Sequence, residues 1–280
     1  KLELVRGEWR KYNLSLLEGQ EALTSPEYSN GTIDIASINI EENTNYVLPP
    51  GVDRVIDPTN PQLRQLNEQS MVLRVKNLDD GDARAAYKSL NLDIRQYKKL
   101  KMFVHAEQYE NEVLNDEDLR IFIRLGTDYK DNYYEYEIPL VTSDYGDNDR
   151  YAVWPEENYV EILLEDLLQI KLARNEELNK ANSTIAINSI FSIFKGKKRY
   201  SIRGNPNLSN VRTIMIGVRN PSKQNNIISA DDGMPKSGEI WVNELRLTDF
   251  KEDGGWAARA RLSTRLADFG TINLAGSMST

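Results

Sequence analysis

Strand-like patterns recur along most of the chain, where apolar residues alternate with polar ones or form short β-branched and aromatic runs. They occupy the segments 12–16, 32–40, 70–75, 83–87, 99–107, 119–127, 133–140, 211–219 and 238–247. Polar turns at 79–82 and 128–132 separate neighbouring segments, and the second predicts a hairpin of two long strands. We expect segments 12–16 and 32–40 to be adjacent strands. Together these patterns predict an all-β protein.

One segment has a helical period instead. Leu163, Leu164, Leu167, Leu168 and Leu172 recur at helical spacing with charged residues between them. They predict one amphipathic helix that packs across one end of a sheet. The proline-rich segment 47–61 predicts an extended ordered loop, and segment 182–199 fits either a strand or a bound extension. About eight to ten strands with one helix and long loops predict a jelly-roll-like β-sandwich, which we assign to residues 1–250.

Residues 251–280 have a different pattern. Between 256 and 266 the apolar residues fall on even positions, and Arg259, Arg261 and Arg265 fall on odd ones. A short turn at 267–270 precedes a second segment that separates apolar from polar positions in the same way. Alternation over about ten residues per segment is typical of a transmembrane β-barrel hairpin. An exposed hairpin of a soluble sheet is the alternative interpretation.

Because the three arginines all fall on odd positions, the pattern predicts which face of this hairpin contacts lipid. A charge on the lipid side costs about 2–4 kcal/mol near the middle of the membrane, so the three arginines are predicted to face the lumen. The residues predicted to face lipid are Trp256, Leu262, Leu266, Ile272, Leu274 and Met278. Because outer-membrane barrels have short periplasmic turns, we expect the turn in the periplasm and the large domain on the extracellular side.

Composition narrows the classes of function. The chain has 43 acidic and 35 basic residues and a net charge of −8, which argues against a nucleic-acid partner. It has no cysteine and a single histidine, His105, so thiol chemistry and multi-histidine metal sites are disfavoured. We expect no enzymatic activity, no cofactor and no catalytic or metal-binding residues. His105 is predicted to be a core or sheet-face residue.

Three further motifs have both a structural and a functional interpretation. The acidic loop 144–149 offers oxygen ligands for calcium, but it lacks the spaced glutamate of an EF-hand and fits a turn. Tyr129, Tyr133, Tyr134 and Tyr136 could form a platform for sugars, although tyrosines in a strand more often pack on a sheet face. The basic run 195–199 predicts a solvated loop. The tyrosines support an alternative function, a carbohydrate-binding β-sandwich module of a secreted or surface protein.

Several segments resemble a known family. The runs GEIWVNELRLTDF (238–250), GGWAARA (254–260) and LADFG (266–270) resemble the SprA/Sov family, the outer-membrane translocon of the Bacteroidetes type IX secretion system. Segments 5–10 and 73–87 are also similar, so the resemblance extends over the whole chain. We expect the chain to be a fragment of a much longer protein of this kind.

The resemblance implies a function and a location. It implies a structural part of a giant β-barrel channel that exports folded cargo proteins and supports gliding motility, located in the outer membrane. The partners it implies are a PorV-like barrel protein, a periplasmic plug protein, secreted cargo proteins and outer-membrane lipid. No motif residue of the family is catalytic, so the resemblance assigns no active site.

Overall fold

The computed structural model describes residues 2–3, 9–19, 29–56, 65–110, 112–226, 231–251, 257–266 and 270–279. The chain divides into two compact units, residues 1–249 and 250–280. The strands of the first unit are, in chain order, β1 (Leu2–Glu3), β2 (Arg10–Tyr12), β3 (Thr32–Asn39), β4 (Gln69–Leu78), β5 (Ala83–Leu92), β6 (Tyr97–Glu107), β7 (Arg120–Gly126), β8 (Tyr133–Pro139), β9 (Val160–Leu163), β10 (Phe191–Lys195), β11 (Lys198–Arg203), β12 (Val211–Arg219) and β13 (Lys236–Phe250), whose last residue is the first of the second unit. The helices are α1 (Arg150–Val153), a 3₁₀ turn (Glu156–Asn158) and α2 (Leu164–Leu178).

These strands form two sheets. Sheet A has the order β3-β4-β13-β6-β9, with β1 beside β13, and sheet B has the order β10-β11-β8-β7-β12-β5-β2. Neighbouring strands pair in antiparallel register, for example β4 with β13 and β7 with β8. The all-β prediction is confirmed, and so is the hairpin of β7 and β8 around the turn at 128–132.

The inner faces of the two sheets share one hydrophobic core. Leu73 and Ile240 of sheet A and Ile123 and Ile216 of sheet B belong to the same apolar cluster, and each is at most 1% exposed. Since removing apolar surface from water is the main driving force for folding, this cluster holds the two sheets face to face as a β-sandwich.

The predicted amphipathic helix is confirmed as α2. Its residues Leu164, Leu167 and Ile170 are buried and join the main core. The helix contacts β6 and β9 of sheet A and β10 and β11 of sheet B. It therefore covers the side of the sandwich where the edges of both sheets meet, whereas the sequence pattern predicted one end of a single sheet.

Three sequence-based expectations about connectivity were wrong or incomplete. Instead of the predicted strand at 12–16, the structure has β2 at residues 10–12, and β2 pairs with β5 in sheet B, whereas β3 pairs with β4 in sheet A. The two strands are therefore not neighbours. The turn at 79–82 joins strands of different sheets, so it is a corner of the sandwich. Segment 182–199, left open by the sequence, contains β10 and leads through a turn into β11.

The second unit contains a hairpin. Strands β14 (Ala257–Leu266) and β15 (Gly270–Ser279) pair in antiparallel register along their whole lengths. The predicted turn residues 267–269 lie outside the described part of the chain.

Candidate functional site

The backbone register of the hairpin keeps the two classes of position apart. Even-numbered residues of β14 pair with even-numbered residues of β15, as Ala258 does with Met278 and Leu262 with Leu274. Odd-numbered residues pair in the same way, including Arg259 with Ser277 and Arg265 with Thr271. Directly paired residues of an antiparallel ladder lie on the same face. One face of the hairpin therefore carries the apolar positions and the other the arginine, serine and asparagine positions.

The side chains that the structure describes in this hairpin are exposed. Leu274 and Met278 are 59% and 63% exposed. Arg259 and Arg261 are also exposed, and on their face the Ser263 hydroxyl donates to Asn273 Oδ1 at 2.6 Å. Trp256 and the side chains of Arg265, Leu262, Leu266 and Ile272 lie outside the described residues. The assignment of one face to lipid and the other to a lumen stays a prediction.

The two strands of the hairpin are equal in length. Each strand has 10 residues, which at about 3.3 Å per residue gives about 33 Å. At the tilt of about 35–45° found in outer-membrane barrels, such a strand covers an apolar band of about 25 Å. Within the described residues, β14 and β15 pair only with each other, so each has one unpaired edge. Among those same residues no helix is long and apolar enough to cross a bilayer.

A buried network of charged side chains covers part of the outer face of sheet B. Arg124 of β7 lies directly opposite Glu135 of β8 and donates to it at 2.5 Å. Two residues further along β8, Glu137 accepts hydrogen bonds from Arg120 at 3.1 Å, Arg199 at 2.6 Å and Arg219 at 2.9 Å. The four strands that supply these residues are consecutive in sheet B, in the order β11-β8-β7-β12.

The N-terminal segment covers this network. Arg219 donates to the carbonyl oxygen of Leu16 at 3.3 Å, and Arg199 donates to the carboxylate of Glu18 at 3.1 Å. Leu16 packs with Phe122 and Met215 in a small apolar cluster beside the charges. Residues 16–18 are therefore tied to sheet B by both polar and apolar contacts.

The arginines hold the two buried glutamates in their charged form. Burial by itself raises the pKa of the Glu135 carboxyl, but Arg124, Arg219 and Arg199 outweigh that effect and lower it to about 2. Burial also raises the pKa of Glu137, and Arg199 and Arg219 bring it below its ordinary value. The adjoining cavity has about 10 Å³, room for one water molecule. The network therefore has a structural role and leaves no space for a larger ligand.

The charge network was missed by the sequence analysis, although a signal for it was present. Arg120 and Arg124 share one parity in the first strand of the predicted hairpin, and Glu135 and Glu137 share one parity in the second. Opposite charges on paired strands attract each other when they share a face. Arg199 was assigned to a solvated loop, which is wrong, because its side chain is 13% exposed and bonded within this network.

A cleft lies on the outer face of sheet A. It has a volume of about 330 Å³ and is lined by the buried Trp241 and Ile38 and by the exposed Tyr145. Polar residues complete its lining: Glu42, Asn43, Thr44, Asn45, Arg74, Glu107 and Glu239. The cleft is within the size range of sites for small ligands or single side chains.

The single histidine lies beside this cleft. His105 is 2% exposed, its ring centroid is 4.0 Å from that of Trp241, and its Nδ1 is 2.7 Å from the carbonyl oxygen of Val153. A carbonyl only accepts hydrogen bonds, so Nδ1 carries a proton and donates it there. The prediction of a buried histidine on a sheet face is confirmed.

The tyrosine platform is not present. Tyr133, Tyr134 and Tyr136 are each at most 1% exposed. Tyr134 and Tyr136 face the main core, and the ring of Tyr133 lies 4.3 Å from the guanidinium carbon of Arg124. Only the partly buried Tyr129 remains near the surface, where it packs on Tyr12 and Tyr87. The proposed sugar contact through this hairpin is therefore wrong.

With the fold and these sites in place, the comparisons with known proteins identify the family. The model of SprA_N, described as a motility related/secretion protein, matches residues 1–280. The chain belongs to the SprA_N family. The family resemblance inferred from segments 238–250, 254–260 and 266–270 is confirmed. The search of curated proteins found no match.

Membership in SprA_N relates the chain to motility or secretion. The matched region includes both the sandwich and the hairpin, since it extends over the full sequence. In this SprA_N chain, groups of three or more histidine, cysteine, aspartate or glutamate residues arranged for a metal ion are absent from the described residues. The acidic loop 144–149 forms a turn there, with Gly146 at a φ of 83°.

Proposed function

We propose that this chain is a structural part of an outer-membrane protein-conducting channel of type IX secretion, which exports folded cargo proteins and supports gliding motility. In this proposal residues 1–249 are an extracellular β-sandwich, and the hairpin of β14 and β15 belongs to the wall of a larger β-barrel. The chain itself has no catalytic role. Family membership supports the link to secretion and motility.

The observation that carries the proposal is the pattern of the hairpin. It combines 10-residue strands, a register that keeps arginine positions on one face, and exposed Leu274 and Met278 on the other. A two-stranded hairpin is marginally stable in water, and open sheet edges do not occur in the hydrocarbon region of a bilayer. The unpaired edges of β14 and β15 are therefore expected to join further strands.

The sandwich has the strand order of a jelly roll, which supports that finer assignment of the fold. Four consecutive strands of sheet A follow the order β4-β13-β6-β9, and four consecutive strands of sheet B are β5, β12, β7 and β8. Eight strands divided in this way between two sheets match a double Greek key. Such a domain is suited to a cap or docking platform beside a channel.

Cysteine scanning of β15 tests the membrane assignment. The chain has no cysteine, so single substitutions at positions 273 to 278 can be labelled in cysteine-free intact protein in native outer membranes. A water-soluble maleimide should label Asn273→Cys, Ala275→Cys and Ser277→Cys. It should not label Leu274→Cys, Gly276→Cys or Met278→Cys, which a lipid-soluble maleimide should reach. Equal labelling of all six positions by the water-soluble reagent contradicts the proposal.

The sidedness of the sandwich has its own test. Glu176 is exposed on α2, and Glu176→Cys in intact cells should react with a membrane-impermeant maleimide if the sandwich is extracellular. Reaction only after the outer membrane is permeabilised contradicts that location.

The proposed assembly includes a PorV-like barrel protein, a periplasmic plug protein and secreted cargo proteins. Purification of the intact protein from outer membranes, with mass spectrometry of the proteins bound to it, should recover these three classes. Recovery of none of them from membranes that contain them contradicts the assembly.

A further inference from the structure

The cleft on the outer face of sheet A contains more negative than positive charge. Its charged lining residues are Glu42, Glu107 and Glu239 against Arg74, so 1 − 3 gives the lining a net charge of −2. All of its lining residues belong to the unit of residues 1–249. An inference about the cleft therefore goes beyond the proposed membrane role and does not depend on the hairpin.

Two of the three carboxylates in the cleft already accept hydrogen bonds from side chains of this protein. Glu239 accepts a hydrogen bond from Arg74 Nε at 2.7 Å through one oxygen and from Trp241 Nε1 at 2.8 Å through the other. Glu42 accepts from the side-chain amide of Asn39 at 2.8 Å. These two carboxylates are compensated by charge or by donors within the protein.

Glu107 differs from both. It is 7% exposed, and its carboxylate has no hydrogen bond to any residue that the structure describes. The nearest cationic candidate is His105, whose Nε2 lies 3.6 Å away and has no hydrogen-bond partner among those residues either. At 3.6 Å this contact is too long for a hydrogen bond. Glu107 therefore brings a largely buried carboxylate that accepts no hydrogen bond from a described residue to the wall of the cleft.

A cation placed in the cleft beside this carboxylate would form an ion pair that is largely shielded from bulk water, where the attraction between opposite charges is stronger. The cleft is too large for a bare ion, and it has the exposed ring of Tyr145, which can attract a cation through its π face. A neutral sugar would not compensate the charge. We propose that the cleft binds a lysine or arginine side chain of a partner polypeptide, with Glu107 as the counter-ion and Tyr145 as the ring that covers the cation.

Titration of the full chain with a short basic peptide tests this site. The probe is an N-acetylated, C-amidated Gly-Arg-Gly peptide, followed by NMR through the indole N–H signals of the four tryptophans. Trp241 lines the cleft, and its signal can be assigned with Trp241→Phe. A single basic side chain is expected to bind with a dissociation constant near about 1 mM. The Trp241 signal should shift in a saturable way, and the Gly-Lys-Gly peptide should give the same response.

The variant Glu107→Gln keeps the shape of the side chain and removes its charge. It should weaken binding at least about tenfold, while Glu176→Gln, an equal change of charge on the exposed surface of α2, should leave binding unchanged. Unchanged indole signals of the other tryptophans report that a variant is folded. Should Glu107→Gln fail to fold, Tyr145→Ala at the exposed rim is the second variant, and it should weaken binding several-fold.

Three results overturn the proposal. The first is equal binding of a peptide with neutral citrulline in place of arginine. The second is an unchanged affinity in Glu107→Gln. The third is a response of Trp241 to methyl glycosides and not to basic peptides, which would assign the cleft to a glycan. Failure here leaves the membrane assignment untouched, because the cysteine scan measures different residues.

Discussion

Replacing Glu137 with glutamine is expected to destabilise the sandwich strongly. The side chain is 1% exposed and accepts from Arg120, Arg199 and Arg219 at 3.1, 2.6 and 2.9 Å. Glutamine has almost the same shape, but it has one acceptor oxygen and presents an NH₂ group to the arginine donors. The substitution therefore removes a negative charge from a cluster of positive ones without creating a cavity.

The magnitude follows from the partners that remain. A hydrogen bond to a charged group contributes about 1.5–3 kcal/mol, and glutamine loses at least one of the three. Arg199 and Arg219 keep a contact with Glu135, at 3.4 and 3.8 Å. Removing one partner of a buried ion pair typically costs about 3–5 kcal/mol. We expect the free energy of unfolding of Glu137→Gln to fall by about that amount.

Urea denaturation followed by circular dichroism measures the change, because urea is uncharged and does not screen the ion pairs. Glu176→Gln is the matched control, since it makes the same change of charge at an exposed position, and its effect should stay within about 0.5 kcal/mol. A loss below about 1 kcal/mol in Glu137→Gln, with an unchanged dependence on urea concentration, would refute the view that this network stabilises the fold.

The same network predicts how stability responds to acid. The pKa values of Glu135 and Glu137 are lowered in the folded protein, to about 2 for Glu135, so their stabilising effect is present above about pH 4.5 and is lost as the pH falls towards 2. The urea concentration at the midpoint of unfolding should fall as the pH falls over that range, and it should fall less steeply in Glu137→Gln than in the unmodified protein. The same slope against pH in both proteins would contradict this prediction. A second prediction concerns Gly126, where a Cβ atom would overlap the backbone carbonyl of Asn132. Gly126→Ala should lower the free energy of unfolding by about 3 kcal/mol in the same assay. Gly51 has a φ of +72° with open space around it, so Gly51→Ala should lower the free energy of unfolding by only about 1 kcal/mol. Equal losses in the two variants would show that the backbone of the hairpin moves to make room for the new Cβ atom.

Local patterns were sufficient to predict most of the elements. The strands around Leu73, Ile123 and Ile216 were found from alternation or from runs of β-branched and aromatic residues, and the helix from Leu164 was found from its period of 3.6 residues. Both signals depend on a few consecutive residues, so they can be recognised without knowledge of the rest of the chain. The parity of the C-terminal hairpin is of the same kind, and the observed register preserves it.

Long-range pairing could not be predicted in the same way. Period two gives the face of a residue but not the identity of the neighbouring strand. Arg74 and Glu239, which line the cleft, are 165 positions apart and meet because β4 and β13 pair. The sequence likewise did not indicate that the corner at 79–82 sends the chain into the other sheet.

The sequence by itself determined the β-strand content, the one amphipathic helix, the two-faced hairpin and the likeness to a secretion family, because each is a property of local pattern or of directly shared residues. Only the tertiary structure decided which carboxylates are compensated. Glu137 meets three arginines from three different strands, whereas Glu107 lines the cleft and accepts no hydrogen bond from a described residue. The physical reason is that the energy of a charge depends on its burial and its partners, and both are set by contacts between distant parts of the chain.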